Sequence, residues 1–342
     1  MASWGGEVLQ IPAKNPNPWP KAGDRVLWIR FSAFGDVLQT AASAHRFKIK
    51  YPDVRVTFMT RPIYGDSLKI QPYIDDVLLW DNKKRPFDFF KVASRVRAAN
   101  FKWLFSFQRG SAAACVAALS RVEQRFGYNS GMQFIYKNAH WDHLDLLGVE
   151  STKRDIPGIF TAPEDREIAR SMLSGLPEKK LFAIIGASKP QKFWPVRHWI
   201  KFLAPLLEEG WGVALNGHGE MESRVGSEIT EALRSDAVLN LVDRAAFPIM
   251  AALAEASTVA VGNDTGPLHL AALVGTPTLG FFGITDANWM NFRMPWFREL
   301  RVSCREAGCR NYGCPVDCLA DISPERALAA FRSFADDTLT LP

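Results

Sequence analysis

The sequence predicts an α/β fold in which two doubly wound, Rossmann-like domains face a cleft. Its 342 residues suit two domains of about 150 residues each. Short apolar strands alternate with helices in both halves, a pattern that indicates parallel sheets covered on both faces. A stretch containing proline and glycine, around residues 156–163, separates the two runs.

Composition narrows the class of protein. The chain is 47% hydrophobic and 23% charged, which excludes a disordered chain, a collagen and a coiled coil. The charge-free residues 267–285 contain Gly275 and Pro277 and change period halfway, so they predict a helix and then a buried strand rather than a membrane span. The first residues lack a basic start followed by an apolar block. We therefore expect no secretory signal and a cytoplasmic protein.

The first half begins with residues 1–24, which contain four prolines and predict an extended arm. After the arm, helical spacing of apolar residues predicts helices, and short continuous apolar runs predict strands. Strands are predicted at 25–31, 55–60, 77–81 and 103–107, and helices at 37–51, 89–100 and 110–120.

The second half repeats this alternation. Strands are predicted at 181–186, 212–217, 258–262 and 276–283, and helices at 164–176, 195–210, 222–235, 247–256, 267–275 and 324–337. The predicted organisation is an arm, a first domain, a second domain and a C-terminal helix, at residues 1–24, 25–160, 161–323 and 324–342.

Charge is distributed unevenly. Residues 1–157 carry 23 Lys and Arg against 14 Asp and Glu, whereas residues 158–342 carry 18 against 22. A basic first half suggests an anionic partner. Nucleic acid, an anionic membrane surface and a phosphorylated or carboxylated substrate all satisfy this pattern, and so does a merely uneven solvated surface.

The first candidate site is the loop Ser-Ala-Phe-Gly-Asp at residues 32–36, between the first predicted strand and helix. Asp36 has two interpretations. It is either the N-cap of the helix, or a carboxylate at the carboxyl end of a strand that acts as a general base. The loop is not a GxGxxG dinucleotide fingerprint.

The second candidate site is Gly-Asn-Asp-Thr-Gly-Pro-Leu-His at residues 262–269. A strand ends there and Pro267 opens a helix, so Asp264, Thr265 and Gly266 lie at a helix N-terminus. Free backbone amides and the helix dipole favour a phosphate at such a place. His269, one turn further, can face the same ligand. The alternative is a core helix capped by Asp264; the density of polar and glycine residues favours ligand binding.

Two further loops follow strands of the second half. Ser188, Lys189 and Lys192 can reach a phosphate, and Glu220 or Glu222 can accept hydrogen bonds from sugar hydroxyls. The alternatives are a solvated basic loop and an ordinary first turn of a helix. Together, three loops suited to phosphates and hydroxyls, and one acid in a basic half, indicate a nucleotide-sugar donor in one domain and an acceptor in the other.

Four segments resemble glycosyltransferase family 9, the ADP-heptose lipopolysaccharide heptosyltransferases. They are residues 25–60, 186–199, 262–286 and 318–331. The resemblance covers roughly residues 25–335 and implies the GT-B architecture, with a final helix crossing back to the first domain. It also implies inverting transfer of L-glycero-D-manno-heptose from ADP-heptose to the lipopolysaccharide inner core, either Kdo-lipid A or a heptosylated core, with no required cofactor.

Residue roles follow from the resemblance. Asp36 matches the catalytic base, and Lys192 matches the lysine at the donor phosphates. Ser32 and Arg61 are expected on the acceptor side. The second serine that the family often has in the first loop is Ala33 here. The donor-binding matches are Ser188, Asp264, Thr265, Gly266, His269 and, more loosely, Glu220.

The resemblance also implies partners and a location. The acceptor is expected to be an anionic lipopolysaccharide precursor at the inner face of the inner membrane, where the enzyme is peripheral; no nucleic-acid partner is expected. A different sugar, a protein acceptor and a catalytically inactive nucleotide-binding homologue remain alternatives. The cysteines at 304, 309, 314 and 318 allow a structural Zn²⁺, free thiols or disulfides.

Overall fold

The computed structural model describes most of the chain outside the N-terminal arm. The described residues are 20–129, 131–137, 139, 144–150, 156–286, 294–304, 308–311, 313, 314 and 317–339. The predicted arm therefore lies almost entirely outside them.

The first domain is built on a five-stranded parallel sheet of order β3-β2-β1-β4-β5. Its strands are β1 (Arg25–Ile29), β2 (Arg55–Thr60), β3 (Asp76–Leu79), β4 (Trp103–Ser106) and β5 (Gln124–Gly127). Its helices are α1 (Phe34–Lys50), α2 (Gly65–Lys69), α3 (Phe89–Ala98) and α4 (Ser111–Leu119). The order places β1 and β4 at the centre, where their side chains are buried on both faces.

The second domain has a six-stranded parallel sheet of order β11-β10-β9-β6-β7-β8. Its strands are β6 (Lys180–Ile184), β7 (Gly212–Asn216), β8 (Val238–Asn240), β9 (Val259–Asn263), β10 (Thr278–Phe282) and β11 (Phe297–Arg301). Its helices are α5 (Pro163–Leu173), α6 (Val196–Glu208), α7 (Glu220–Leu233), α8 (Phe247–Glu255), α9 (Gly266–Leu273) and α10 (Pro324–Leu339). The predicted architecture of two doubly wound domains is confirmed.

Three strands were not predicted from the sequence, and each is an edge strand. They are β5, β8 and β11. The strand β11 reads Phe-Arg-Glu-Leu-Arg and has no fully buried residue. These three strands are covered incompletely, so they lack the continuous apolar run by which the other strands are recognised.

The C-terminal helix packs on the second domain. The helix α10 contacts α6 and β11, and the ring of Phe331 lies 5.1 Å from that of Trp211 and 5.7 Å from that of Phe202. Arg332 pairs with Glu209 on the same domain. These contacts hold the described body of this helix against the second domain, and the expected crossing to the first domain stays a prediction.

The two domains meet through α1 and α9. Both helices contribute small and aliphatic side chains to one core cluster, among them Ala41 and Ala42 of α1 and Leu270 and Ala271 of α9. The linker at Gly158 lies against α1, where an added methyl group would come within 2.6 Å of Cβ of Ala42. The carboxyl ends of the central strands β1 and β9 consequently open toward one interdomain region.

None of the described helices is both long enough and apolar enough to cross a membrane.

Candidate active site

The acid loop connects β1 to α1, and the helix begins at Phe34, three residues earlier than the periodicity predicts. Ala33 is the N-cap, so Asp36 lies in the first turn and is not itself the N-cap. The Asp36 carboxylate accepts a hydrogen bond of 2.9 Å from the Ala33 backbone N–H. Its side chain remains 41% exposed. Asp36 therefore fixes the start of its helix with one oxygen and leaves the carboxylate accessible to a substrate.

Arg30 lies just before this loop and was not predicted as a site residue. Its guanidinium forms an ion pair with the Asp36 carboxylate and donates to the Phe107 carbonyl just beyond β4. The guanidinium thus holds the acid against the centre of the first sheet. The sequence shows only that Arg30 lies at the end of a predicted strand. It gives no sign that the side chain turns toward the loop.

The helix that the resemblance assigns to the donor is α9, which follows directly from β9; it is called the donor helix below. Asp264, between the two, is almost completely buried. Its Oδ2 accepts a hydrogen bond of 2.6 Å from Nζ of Lys192, and its Oδ1 lies 3.0 Å from Nε2 of His269. The alternative of a helix capped by Asp264 is wrong, because the N-cap is Thr265 and the Asp264 carboxylate faces Lys192 and His269.

The electrostatics of this cluster favour an ionised Asp264. Burial by itself raises the pKa of a carboxyl group. Here the hydrogen bond and charge of His269, with the Lys192 ammonium, outweigh burial and hold the pKa of Asp264 well below its ordinary range. A permanently charged Asp264 can then orient one ammonium and one imidazole at the start of α9.

Thr265 offers a hydroxyl at the same place. Its Oγ1 is buried and makes no hydrogen bond to any described residue. Together with the backbone N–H groups of the first helical turn, which have no partner within the helix, this hydroxyl can donate to an anion. Pro267 has no N–H and the Leu268 N–H donates to the Thr265 carbonyl, so those groups belong to Thr265 and Gly266.

Asn263 joins the donor helix to the loop that carries Lys192. This buried side chain donates 2.9 Å to the Ile185 carbonyl and accepts 3.2 Å from the Trp194 N–H. Asn263 belongs to the motif at residues 262–269, but the sequence predicted no role for it. The structure shows that it ties the carboxyl end of β9 to both ends of the 186–194 loop.

Glu222, rather than Glu220, lies between the loop after β6 and the loop after β7. Its carboxylate accepts from the Ala187 N–H at 3.1 Å and the His218 N–H at 2.5 Å. A methyl group added at Gly186 would lie 2.0 Å from Oε2, so this glycine makes room for the acid. Burial raises the pKa of Glu222, and these two amides oppose that effect only in part.

Glu220, the acid that the resemblance suggested, is in a different environment. Its side chain is 81% exposed and pairs with Arg224 one turn along α7. The geometry therefore favours Glu222 as the acid that shapes the donor side.

We expect Glu222→Gln to weaken donor binding about tenfold and to lower the melting temperature. The amide presents an N–H₂ to one of two backbone N–H donors, which leaves that donor unsatisfied and loosens both loops. Titration with the donor nucleotide and thermal melting measure the two effects. Glu220→Gln on the exposed face is the matched control and should change neither; equal effects of both substitutions would refute the role of Glu222.

The acid loop and the donor helix are in direct contact. A methyl group built at Gly35 would lie 2.9 Å from Cδ2 of His269 and 3.5 Å from Cα of Gly266. One built at Gly266 would lie 2.2 Å from Cδ1 of Phe34. The absence of Cβ atoms at both positions allows the two loops to approach, and this places Asp36 beside the N-terminus of α9.

The other predicted residues surround this junction. Ser32 is in the acid loop and half-buried, and Ser188 is exposed in the loop after β6. Arg61 follows β2, and its Nε lies 3.4 Å from Oδ1 of Asp81. All three are at the carboxyl edges of the sheets, where a ligand of the cleft can reach them.

The cysteines form no metal centre in the described part of the chain. Cys304, Cys309, Cys314 and Cys318 are free thiols, and no three His, Cys, Asp or Glu side chains among the described residues form a group that could hold a metal ion. Burial and the neighbouring cysteines raise the pKa of the Cys318 thiol. The structural Zn²⁺ therefore stays a prediction without geometric support.

The fold and this site define a class: a two-domain α/β protein in which an acid on one domain lies beside a helix N-terminus of the other. The family model of glycosyltransferase family 9 (heptosyltransferase) matches residues 89–320. The chain belongs to this family and is a glycosyltransferase.

Similar proteins agree with this assignment. Lipopolysaccharide heptosyltransferase 3 of Escherichia coli K12 is 24% identical over 295 residues, which cover 78% of this chain and 83% of that protein. A family 9 glycosyl transferase from Veillonella parvula superposes with a TM-score of 0.83 at 16% identity, covering 94% of this chain and 100% of the other. The E. coli ADP-heptose LPS heptosyltransferase II superposes with a TM-score of 0.73 at 18% identity, covering 92% and 99%. These two structures establish the GT-B fold.

Proposed function

We propose that this protein transfers L-glycero-D-manno-heptose from ADP-heptose to the inner core of a lipopolysaccharide precursor, with inversion at the anomeric carbon. The observation that carries the proposal is the contact between the acid loop and the donor helix, at Gly35, Gly266 and His269. It brings a carboxylate and an anion-binding helix N-terminus to one place. Heptose, ADP and lipopolysaccharide appear in the names of the relatives.

Asp36 is the general base of this mechanism. Its carboxylate is accessible, and Arg30 and the Ala33 N–H hold it in position. The carboxylate takes the proton of an acceptor hydroxyl as that oxygen attacks the anomeric carbon of the donor. Attack comes from the face opposite the leaving group, so the configuration inverts through an oxocarbenium-like transition state.

The second domain stabilises the leaving group. The bond between the anomeric carbon and the phosphate oxygen breaks, and ADP leaves with the electron pair. Lys192, the Thr265 hydroxyl and the amides of Thr265 and Gly266 oppose the growing negative charge. In this proposal Asp264 holds Lys192 at the start of α9, and Glu222 holds the loops around the nucleotide.

Release of ADP from ADP-heptose tests the proposal, measured for the native chain and for Asp36→Ala, with and without Kdo₂-lipid A. We expect release that depends on the acceptor and is lost in the variant. Donor binding without release would redirect the search to another acceptor, such as an already heptosylated core or a protein. Absence of donor binding would overturn the assignment of the donor sugar.

A further inference from the structure

A basic aromatic segment, residues 83–91, follows β3 at the carboxyl edge of the first sheet. It carries Lys83, Lys84, Arg85 and Lys91 against a single acid, Asp88. The side chains of Phe87 and Phe90 are 83% and 64% exposed. Single exposed apolar residues are common on protein surfaces, but two exposed phenylalanines among four cations within nine residues form a distinct surface.

The cations of this segment are only weakly neutralised. Arg85 and Lys91 lie 4.0 Å and 3.9 Å from the Asp88 carboxylate, and Lys84 lies 3.9 Å from that of Asp81. The side chains of these three cations are all more than three-quarters exposed. Pairs of this kind contribute little, so the segment presents a positive field to solvent.

A neighbouring turn extends the apolar part of this surface toward the site. Ile63, in the turn after β2, is 71% exposed. The ion pair between Arg61 and Asp81 joins this turn to the start of the segment. On the other side, the ring of Tyr64 stacks on that of Phe34 at 5.8 Å. Phe34 is two residues from Asp36, so the surface and the acid loop are separated by a short chain of packed side chains.

We propose that residues 83–91, together with Ile63, dock this protein on an anionic lipid bilayer. Phenylalanine and isoleucine side chains enter the boundary between headgroups and acyl chains, while lysine and arginine meet the lipid phosphates. Charge complementarity favours an anionic bilayer over a neutral one. The consequence for the site rests on the proposed function: a lipid-anchored acceptor in the same bilayer reaches Asp36 without leaving the membrane.

Sedimentation of the full chain with vesicles tests this docking in the absence of donor and acceptor. We expect binding to vesicles of phosphatidylcholine with phosphatidylglycerol, weakened by salt, and much less binding to pure phosphatidylcholine. The variants Phe87→Ser with Phe90→Ser, and Lys83→Gln with Lys84→Gln, should each reduce partitioning on the order of tenfold. Ile168→Ser with Met221→Ser, at exposed positions of the second domain, is the matched control.

The outcomes separate docking from catalysis. The docking proposal would be overturned if the native protein does not bind anionic vesicles. It would also be overturned if the variants bind these vesicles as strongly as the native chain does. If the variants keep native vesicle binding but have a higher KM for a water-soluble, deacylated acceptor, the segment binds the saccharide and the docking proposal is wrong. Vesicle binding that is lost in the variants, in a chain that releases no ADP, would support docking while the proposed function fails.

Discussion

Asp36→Asn should reduce acceptor-dependent release of ADP by about 10³-fold while the protein remains folded. An amide cannot take the proton of the acceptor hydroxyl. Its oxygen can still accept the hydrogen bond from the Ala33 N–H that starts α1, so the helix should be preserved. Turnover with donor and acceptor at saturation measures the chemical effect, and thermal melting measures folding.

The matched control for this prediction is Asp66→Asn in α2. That side chain is almost fully exposed and, among the described residues, forms an ion pair with Lys69 on the same turn, so the Asp66→Asn enzyme should turn over as fast as the native enzyme. Donor affinity should be unchanged in both variants, because Asp36 acts on the acceptor. An Asp36→Asn enzyme that keeps a tenth or more of the native turnover would show that another group removes the proton.

Lys192→Met should reduce turnover by about 10²- to 10³-fold and destabilise the protein by about 3 kcal/mol. The substitution removes the cation proposed to oppose the charge of the departing ADP. It also leaves the buried Asp264 carboxylate without its ammonium partner, which lies at 2.6 Å in the native chain. Lys201→Met, at an exposed position of α6, is the control for removal of a lysine.

The double variant Lys192→Met with Asp264→Asn separates these two effects. Neutralising Asp264 removes the unpaired buried charge, so part of the stability should return. Turnover should stay low because the cation is still missing. Recovery of turnover along with stability would mean that Lys192 acts only through the fold, and the assignment to the leaving group would be wrong.

Acid unfolding gives an independent test of the same cluster. Because the pKa of Asp264 is lower in the folded than in the unfolded chain, its contribution to stability is present above the ordinary value of 3.8 and declines as pH falls below it. In Lys192→Met one of the two cations is gone, so the pKa of Asp264 should rise toward its ordinary value. The variant should then lose less stability than the native chain between neutral and acid pH, although it is less stable throughout.

The sequence predicted the central strands and the helices beside them closely. β2 begins at Arg55 and ends at Thr60, as the sequence predicted. Central strands and long helices are recognisable because burial imposes a local hydrophobic pattern. The edge strands β5, β8 and β11 lack such a pattern, because only part of their surface meets the core.

The candidate site was predictable where a motif coincided with a change of element. Asp36 and Asp264 each lie where a buried strand is followed by a helix, so their place at the carboxyl edge of a sheet follows from the sequence. Their partners do not. Arg30 joins Asp36 to the Phe107 carbonyl, and Lys192 joins Asp264 across 72 positions of the chain. No local pattern encodes such a pairing.

The sequence by itself therefore determined the two doubly wound domains, the loops that carry chemistry and the family resemblance. Only the tertiary structure decided that Glu222 rather than Glu220 lies between the donor loops, that α10 packs on the second domain, and that Gly35 meets His269. The physical reason is the range of the interactions. Local periodicity records which face of an element is buried, whereas the identity of the neighbour on that face depends on how distant segments pack.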